Sequence, residues 1–234
     1  MLSACVFAPK IVRAGMFALA AMAFTHSAPV QAEETFQKKV AAIESKLDGR
    51  LGLALLNLHN GNEWVYQADD RFPISSTFKV MLCGAILAKV DAGDERLDRQ
   101  ITFKKSEIVS WSPVTENRIQ TGMSVGELCE ATMTMSDNTA ANLLLETIGG
   151  PQALTMFLRE IGDDTTRLDR WETKLNEGVP GDLRDTTTAS AALSTLKKLL
   201  FGKVLSISSR RQLTDWMIDD KVANDLLRAS LPED

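Results

Sequence analysis

The chain has 234 residues, with 26 Lys and Arg against 31 Asp and Glu, a formal net charge of −5. Residues 1–32 carry Lys10 and Arg13 and no acid, so the remainder is more acidic still, which argues against nucleic acid or an anionic membrane as the main partner. The only histidines are His26 and His59, which rules out a His-rich zinc site and leaves hydrolytic chemistry to Ser, Lys and carboxylates.

The N-terminus opens with a basic stretch, then the apolar run Ala14–Phe24, then Ser27-Ala28-Pro29-Val30-Gln31-Ala32. Small residues at the last position and two before it complete a secretory signal, with cleavage expected near Ala32 and export to the periplasm. The run is too short to span a bilayer. Cys5 leaves with this leader, and Cys83 and Cys129 remain as an even pair in an exported protein, so a disulfide between them is expected.

Phe36, Val40, Ile43 and Leu47 recur at helical period and predict a first helix, stopped by Gly49. The apolar run Leu51–Leu58, then Asn60-Gly61, then Glu63-Trp64-Val65-Tyr66, predicts a hairpin. No further strand is expected before Asp234. Helices are predicted over Thr77–Val90, closed by Gly93, and from the capping box Ser124-Val125-Gly126-Glu127 to about Met135. Further helices are predicted over Asn138–Ile148, from Pro151 to Gly162, over Thr186–Leu200 and over about Ser208–Ile218. Between them, residues 163–185 hold eleven charges in 23 positions, and so long a loop in a compact domain is usually functional or disordered.

Ser76-Thr77-Phe78-Lys79 puts a hydroxyl at a helix start and an amine three residues on, on the same face. A neighbouring lysine of lowered pKa can take the serine proton, and the helix N-terminus favours negative charge developing there. Ser194-Thr195-Leu196-Lys197 repeats the spacing inside an amphipathic helix and reads as structural. Ser136-Asp137-Asn138 offers a second hydroxyl and an amide, or simply a helix cap. Glu172 and Asn176 are four apart, a carboxylate and an amide that can hold one water between them, or ordinary solvated loop residues.

Together these residues match a recorded signature, S-x-x-K with S-D-N, of the class A β-lactamases. The chain resembles that family from about Phe36 to Leu231, and its TEM- and SHV-like branch most closely. Arg71-Phe72-Pro73, Met135–Asn142, Ile148–Pro151, Thr166–Glu172 and Asp185-Thr186-Thr187 carry the resemblance. It implies an α/β plus all-α fold of the β-lactamase/transpeptidase type. An all-helical domain (68–218) would be inserted into an antiparallel α/β domain (33–67 and 219–234).

The resemblance further implies that Ser76 attacks a β-lactam and is acylated, that Lys79 and Ser136 shuttle protons, and that Asn138 binds the substrate amide. Glu172 and Asn176 would hold the hydrolytic water. Either Lys79 or Glu172 would activate Ser76. The Ser76 N–H would supply half of an oxyanion hole. Trp111 would line the entrance, Arg170 and Asp185 would pin the charged loop, and Cys83–Cys129 would match the branch's disulfide. No cofactor or metal is implied, and the partner is a small β-lactam bound by a monomer.

Three departures stand out. Thr173 replaces the proline that commonly follows the loop glutamate in a cis bond. Ser75 stands where the carbapenem-hydrolysing branch has cysteine. No Lys-Thr-Gly triad follows, so the chain is expected to be C-terminally truncated relative to the family. The alternatives are a penicillin-binding transpeptidase or sensor, against which the Glu172/Asn176 pair speaks, and an inactive truncated product.

Overall fold

The computed structural model describes residues 28–224 and Ala229. Most of the expected leader therefore lies outside the described residues. Helix α1 spans Ala28–Glu44 and includes the last five residues of that expected leader. The hairpin follows as β1 (Leu53–Leu56) and β2 (Glu63–Tyr66), antiparallel, with Leu53 opposite Tyr66 and Leu55 opposite Trp64. Its turn runs from Asn57, whose N–H donates to the Asn62 carbonyl, and places Gly61 at φ 75°.

Alternation gives the hairpin two faces. Leu53, Leu55, Trp64 and Tyr66 share one face, and there the Tyr66 hydroxyl donates to Glu44 at 2.5 Å. The Leu51 N–H and the Gln67 amide also donate to Glu44, so its carboxylate sits below its ordinary pKa, the Tyr66 hydroxyl being the largest cause. The opposite face packs on the helix Ala189–Phe201.

Two short strand pairs that the sequence reading did not anticipate frame the rest. Strand β3 (Phe72–Pro73) pairs with β6 (Thr186–Thr187), and β4 (Gln100–Ile101) with β5 (Met123–Ser124), both antiparallel. Thr186 and Thr187 are thus strand residues rather than the start of a helix. Arg71 favours this by donating to the Thr186 hydroxyl and the Thr165 carbonyl.

The core is helical. Helix α2 (Phe78–Ala92) is apolar over its first ten residues apart from the buried Lys79, as suits a helix surrounded by others. Around it lie α3 (Val125–Thr134), α4 (Asn138–Ile148), α5 (Pro151–Glu160), α6 (Ala189–Phe201) and α7 (Ile207–Ile218). Gly84 of α2 lets α6 come close: a Cβ there would lie 2.9 Å from the Leu199 side chain. Gly93, at φ 82°, closes α2 in the left-handed conformation.

Cys83 and Cys129 face each other across α2 and α3 as free, fully buried thiols, not as the expected disulfide. The Cys83 sulfur lies 3.8 Å from the Cys129 carbonyl oxygen, within reach of a weak hydrogen bond. Among the described residues no helix is long and apolar enough to cross a membrane.

Candidate active site

Ser76 sits in the single 3₁₀ turn Ser75–Thr77 that leads into α2, and its side chain is exposed. One turn on, Lys79 is 3% exposed. Its ammonium donates to the Ser136 carbonyl at 2.7 Å, the Ser136 hydroxyl at 3.0 Å and the Asn138 amide oxygen at 2.7 Å. All three of its protons are thereby committed. The link to the nucleophile runs through Ser136, whose hydroxyl donates to Ser76 Oγ at 3.1 Å. Burial pushes the Lys79 pKa below its ordinary value, against the opposing pull of Glu172.

Asp137 explains how the intervening triplet serves two purposes. It caps α4 by accepting the Ala140 N–H and also accepts the N–H groups of Val114 and Thr115 and the Thr115 hydroxyl. The capping reading of Ser136-Asp137-Asn138 is therefore true of Asp137. Its neighbours Ser136 and Asn138 are left to meet Lys79. The Asn138 amide also donates to the Ser110 carbonyl at 2.8 Å.

Glu172 brings the carboxylate. Its side chain is fully buried, with Oε1 3.5 Å from Lys79 Nζ. Oε2 accepts the Asn176 amide at 2.7 Å, whereas the buried Oε1 has no hydrogen-bond partner. The charge on Oε1 is instead balanced by the Lys79 ammonium, since a buried carboxylate with no cation near it would be costly. The Glu172–Thr173 peptide is cis, although its second residue is not proline.

Asn142 is a site residue that the sequence reading missed. From α4 its side chain donates to the Glu172 carbonyl at 3.0 Å and accepts the Glu172 N–H at 2.9 Å. The available signal was its spacing: four residues after Asn138, it lies on the same helical face.

The charged loop is ordered by its own ends. Asp185 accepts the N–H groups of Asp169 and Arg170 and the Arg170 guanidinium, and its carbonyl accepts the Ile74 N–H. That last bond ties the loop to the turn carrying Ser76. Ser75, Trp111, Ser136 and Asp185 all have positive φ, 43°, 61°, 54° and 53°. Such conformations cost about 1–3 kcal/mol each and persist only where their surroundings hold them. Trp111, 60% exposed, stands beside this cluster, its indole N–H donating to the Met135 carbonyl at 3.1 Å.

The second Ser-x-x-Lys lies within α6, with Ser194 and Lys197 exposed, while Thr195 between them donates to Asp163. It forms no comparable cluster. Among the described residues no three His, Cys, Asp or Glu side chains are grouped as metal ligands.

A helical body framed by short antiparallel pairs, with Ser, Lys, Ser and Glu converging at its edge, is the architecture of the β-lactamase/transpeptidase fold. The chain belongs to the β-lactamase enzyme family, whose model matches residues 35–234, and within it to class A. It is similar to an ancestral class A β-lactamase (GNCA), at 55% identity and TM-score 0.84 over 85% of this chain and 76% of that one. The class A β-lactamase of the last common ancestor of Gram-negative bacteria (GNCA4) matches at 55% identity and TM-score 0.84, over 86% and 76%. A putative class A β-lactamase, PenP, from Rhodopseudomonas palustris matches at 47% identity and TM-score 0.83, over 85% and 76%.

Proposed function

We propose that this protein hydrolyses β-lactams, penicillins first among them, through an acyl-enzyme on Ser76, and so confers resistance to them. The observation that carries the reading is the buried Glu172 carboxylate, held by Asn176 through Oε2 and 3.5 Å from Lys79 through Oε1, beside the Ser76–Ser136–Lys79 chain. With Lys79 neutral, the hydrogen bonds of that chain reverse. Ser76 gives its proton to Ser136, and Ser136 gives its own to Lys79, as the serine oxygen bonds to the lactam carbonyl carbon. The carbonyl oxygen takes up negative charge near the Ser76 N–H. When the C–N bond breaks, the ring nitrogen takes a proton back through Ser136. A water held by Glu172 Oε1 and Asn176 then attacks the ester and Glu172 takes its proton. As the C–O bond to Ser76 breaks, that proton is passed on through Lys79 and Ser136, so Ser76 leaves as a hydroxyl and Glu172 is a carboxylate again.

The Glu172/Asn176 pair favours this reading over a transpeptidase or sensor, which needs no hydrolytic water. The 71–73, 135–142, 148–151, 166–172 and 185–187 stretches support a place near the TEM- and SHV-like branch, and Ser75 speaks against the carbapenem-hydrolysing one. The composition of residues 1–32 supports export to the periplasm. The protein then acts there as a monomer.

The test is Glu172→Ala. It removes the base for the water and leaves the nucleophile, so mass spectrometry with a penicillin is expected to show an adduct accumulating on Ser76. Normal turnover with no adduct would make Glu172 an ordinary buried carboxylate.

A further inference from the structure

The segment 109–112 that presents Trp111 is held by two buried hydroxyls that the chemistry above does not use. Ser112 is 5% exposed and Thr139 1%. The Ser112 hydroxyl donates to the Val109 carbonyl at 2.8 Å, and the Thr139 oxygen accepts the Val109 N–H at 2.9 Å. The two oxygens are 2.7 Å apart. Because the Ser112 proton is already committed to Val109, the proton between them must come from Thr139. Ser112 also accepts the Thr139 N–H at 3.3 Å. The result is a closed ring in which every buried polar atom is paired.

Two further bonds complete the latch. The Ser110 carbonyl accepts the Asn138 amide and the Trp111 carbonyl accepts the Asn138 N–H at 3.0 Å. Trp111 itself holds a left-handed backbone, φ 61°, that a bulky residue adopts only under constraint. Its indole is nevertheless exposed, next to the residue preceding Ser136. The hydroxyl ring thus fixes the backbone leading into Trp111, and the bond from the indole N–H to the Met135 carbonyl fixes the ring itself.

We propose that Ser112 and Thr139 are positioning residues that hold Trp111 as a fixed wall of the substrate entrance, against which the side chain of an incoming β-lactam packs. This rests on the function proposed above. Its consequence is selective. A penicillin with a benzyl side chain should depend on the latch, whereas 6-aminopenicillanic acid, which has no acyl side chain, should not.

The experiment uses the full chain labelled with 5-fluorotryptophan. It has four tryptophans, Trp64, Trp111, Trp171 and Trp216, and Trp111→Phe assigns the signal of interest. Thr139→Val is expected to shift or sharpen the Trp111 ¹⁹F resonance alone, and Thr139→Ser to restore it. In kinetics, Thr139→Val should raise KM for the benzyl penicillin about tenfold, while kcat stays within about twofold. In a Trp111→Ala background that KM rise should vanish, because the residue through which Thr139 acts is gone.

An unmoved Trp111 resonance, or a KM rise that survives in Trp111→Ala, overturns the proposal. If the unaltered chain neither turns over nor binds a penicillin covalently, the proposed function fails, and the resonances still decide the latch. If Thr139→Val does not fold, Ser112→Ala leaves the Val109 carbonyl without its hydroxyl and is read against the same two outcomes.

Discussion

At the scale of single residues, the site is governed by what Lys79 and Glu172 are denied. Lys79 is surrounded by acceptors yet shut away from water, and its lowered pKa follows from that burial. Glu172 keeps one oxygen without a hydrogen bond, 3.5 Å from the Lys79 ammonium. Asn142 decides where that oxygen points, since it grips the Glu172 backbone at both N–H and C=O. Asn142→Ala should therefore let the carboxylate drift and slow deacylation by about 100-fold, the usual cost of a roughly 1 Å misplacement. Pre-steady-state mass spectrometry should show the adduct forming at its normal rate and persisting. Equal slowing of both steps would mean that Asn142 supports the whole site. Ser76, Lys79, Ser136 and Asn138 were legible in the sequence because each belongs to a tight local motif at a helix start. Asn142 was not, because its partner lies thirty residues away and a helical asparagine reads as surface.

At the scale of elements, the charged loop shows how a segment without α-helix or long strand is kept in one place. Its first residue, Asp163, is 4% exposed. It accepts the Thr165 and Thr166 N–H groups and the Thr195 hydroxyl of α6. Burial alone would raise its pKa, but the bonds from Thr166, Thr195 and Thr165 outweigh it, and the net direction is down. A carboxylate lowered on folding stabilises the fold fully above its unfolded pKa of about 3.9, and that stability is lost as pH falls through the folded value. Asp163→Asn should therefore cost about 2 kcal/mol at pH 7, and the gap from the unaltered protein should narrow below about pH 4. Urea melts at both pH values measure it, and a gap independent of pH would show that charge plays no part. The loop's charge density was visible in the sequence, and so were its Arg170 and Asp185 pins. The β3–β6 pair that sets its end was not. Two-residue strands leave no period to read, and the pairing joins residues more than a hundred positions apart.

At the scale of the whole molecule, two regions of unequal security share one chain. The helical body is packed around α2, and its order of elements was readable from caps and glycines. The hairpin is different: among the described residues β1 pairs only with β2. Leu55 on β1 is 49% exposed, and Ile43 and Leu47 of the α1 region are exposed too, at 54% and 51%. Nothing along Leu53–Leu56 is charged, so its outer edge lacks the usual guard against pairing with other chains. Leu55→Lys should reduce concentration-dependent light scattering while changing stability by no more than about 0.5 kcal/mol. Scattering that is absent in the unaltered protein, or unchanged by the substitution, would show that this edge does not drive association. The body, by contrast, carries its own clock. Cys83 and Cys129 are sealed in the seam between α2 and α3, and burial, then the hydrogen bond with Cys83, holds the Cys129 thiol far from ionising. Both sulfurs are shut away from solvent, so iodoacetamide should reach neither until the two helices part. The pace at which these two cysteines acquire label, read by peptide mass mapping, then measures how often the seam breathes. If it opens as one unit the two sites should label in step under rising urea, and if one runs far ahead, the helices come away separately.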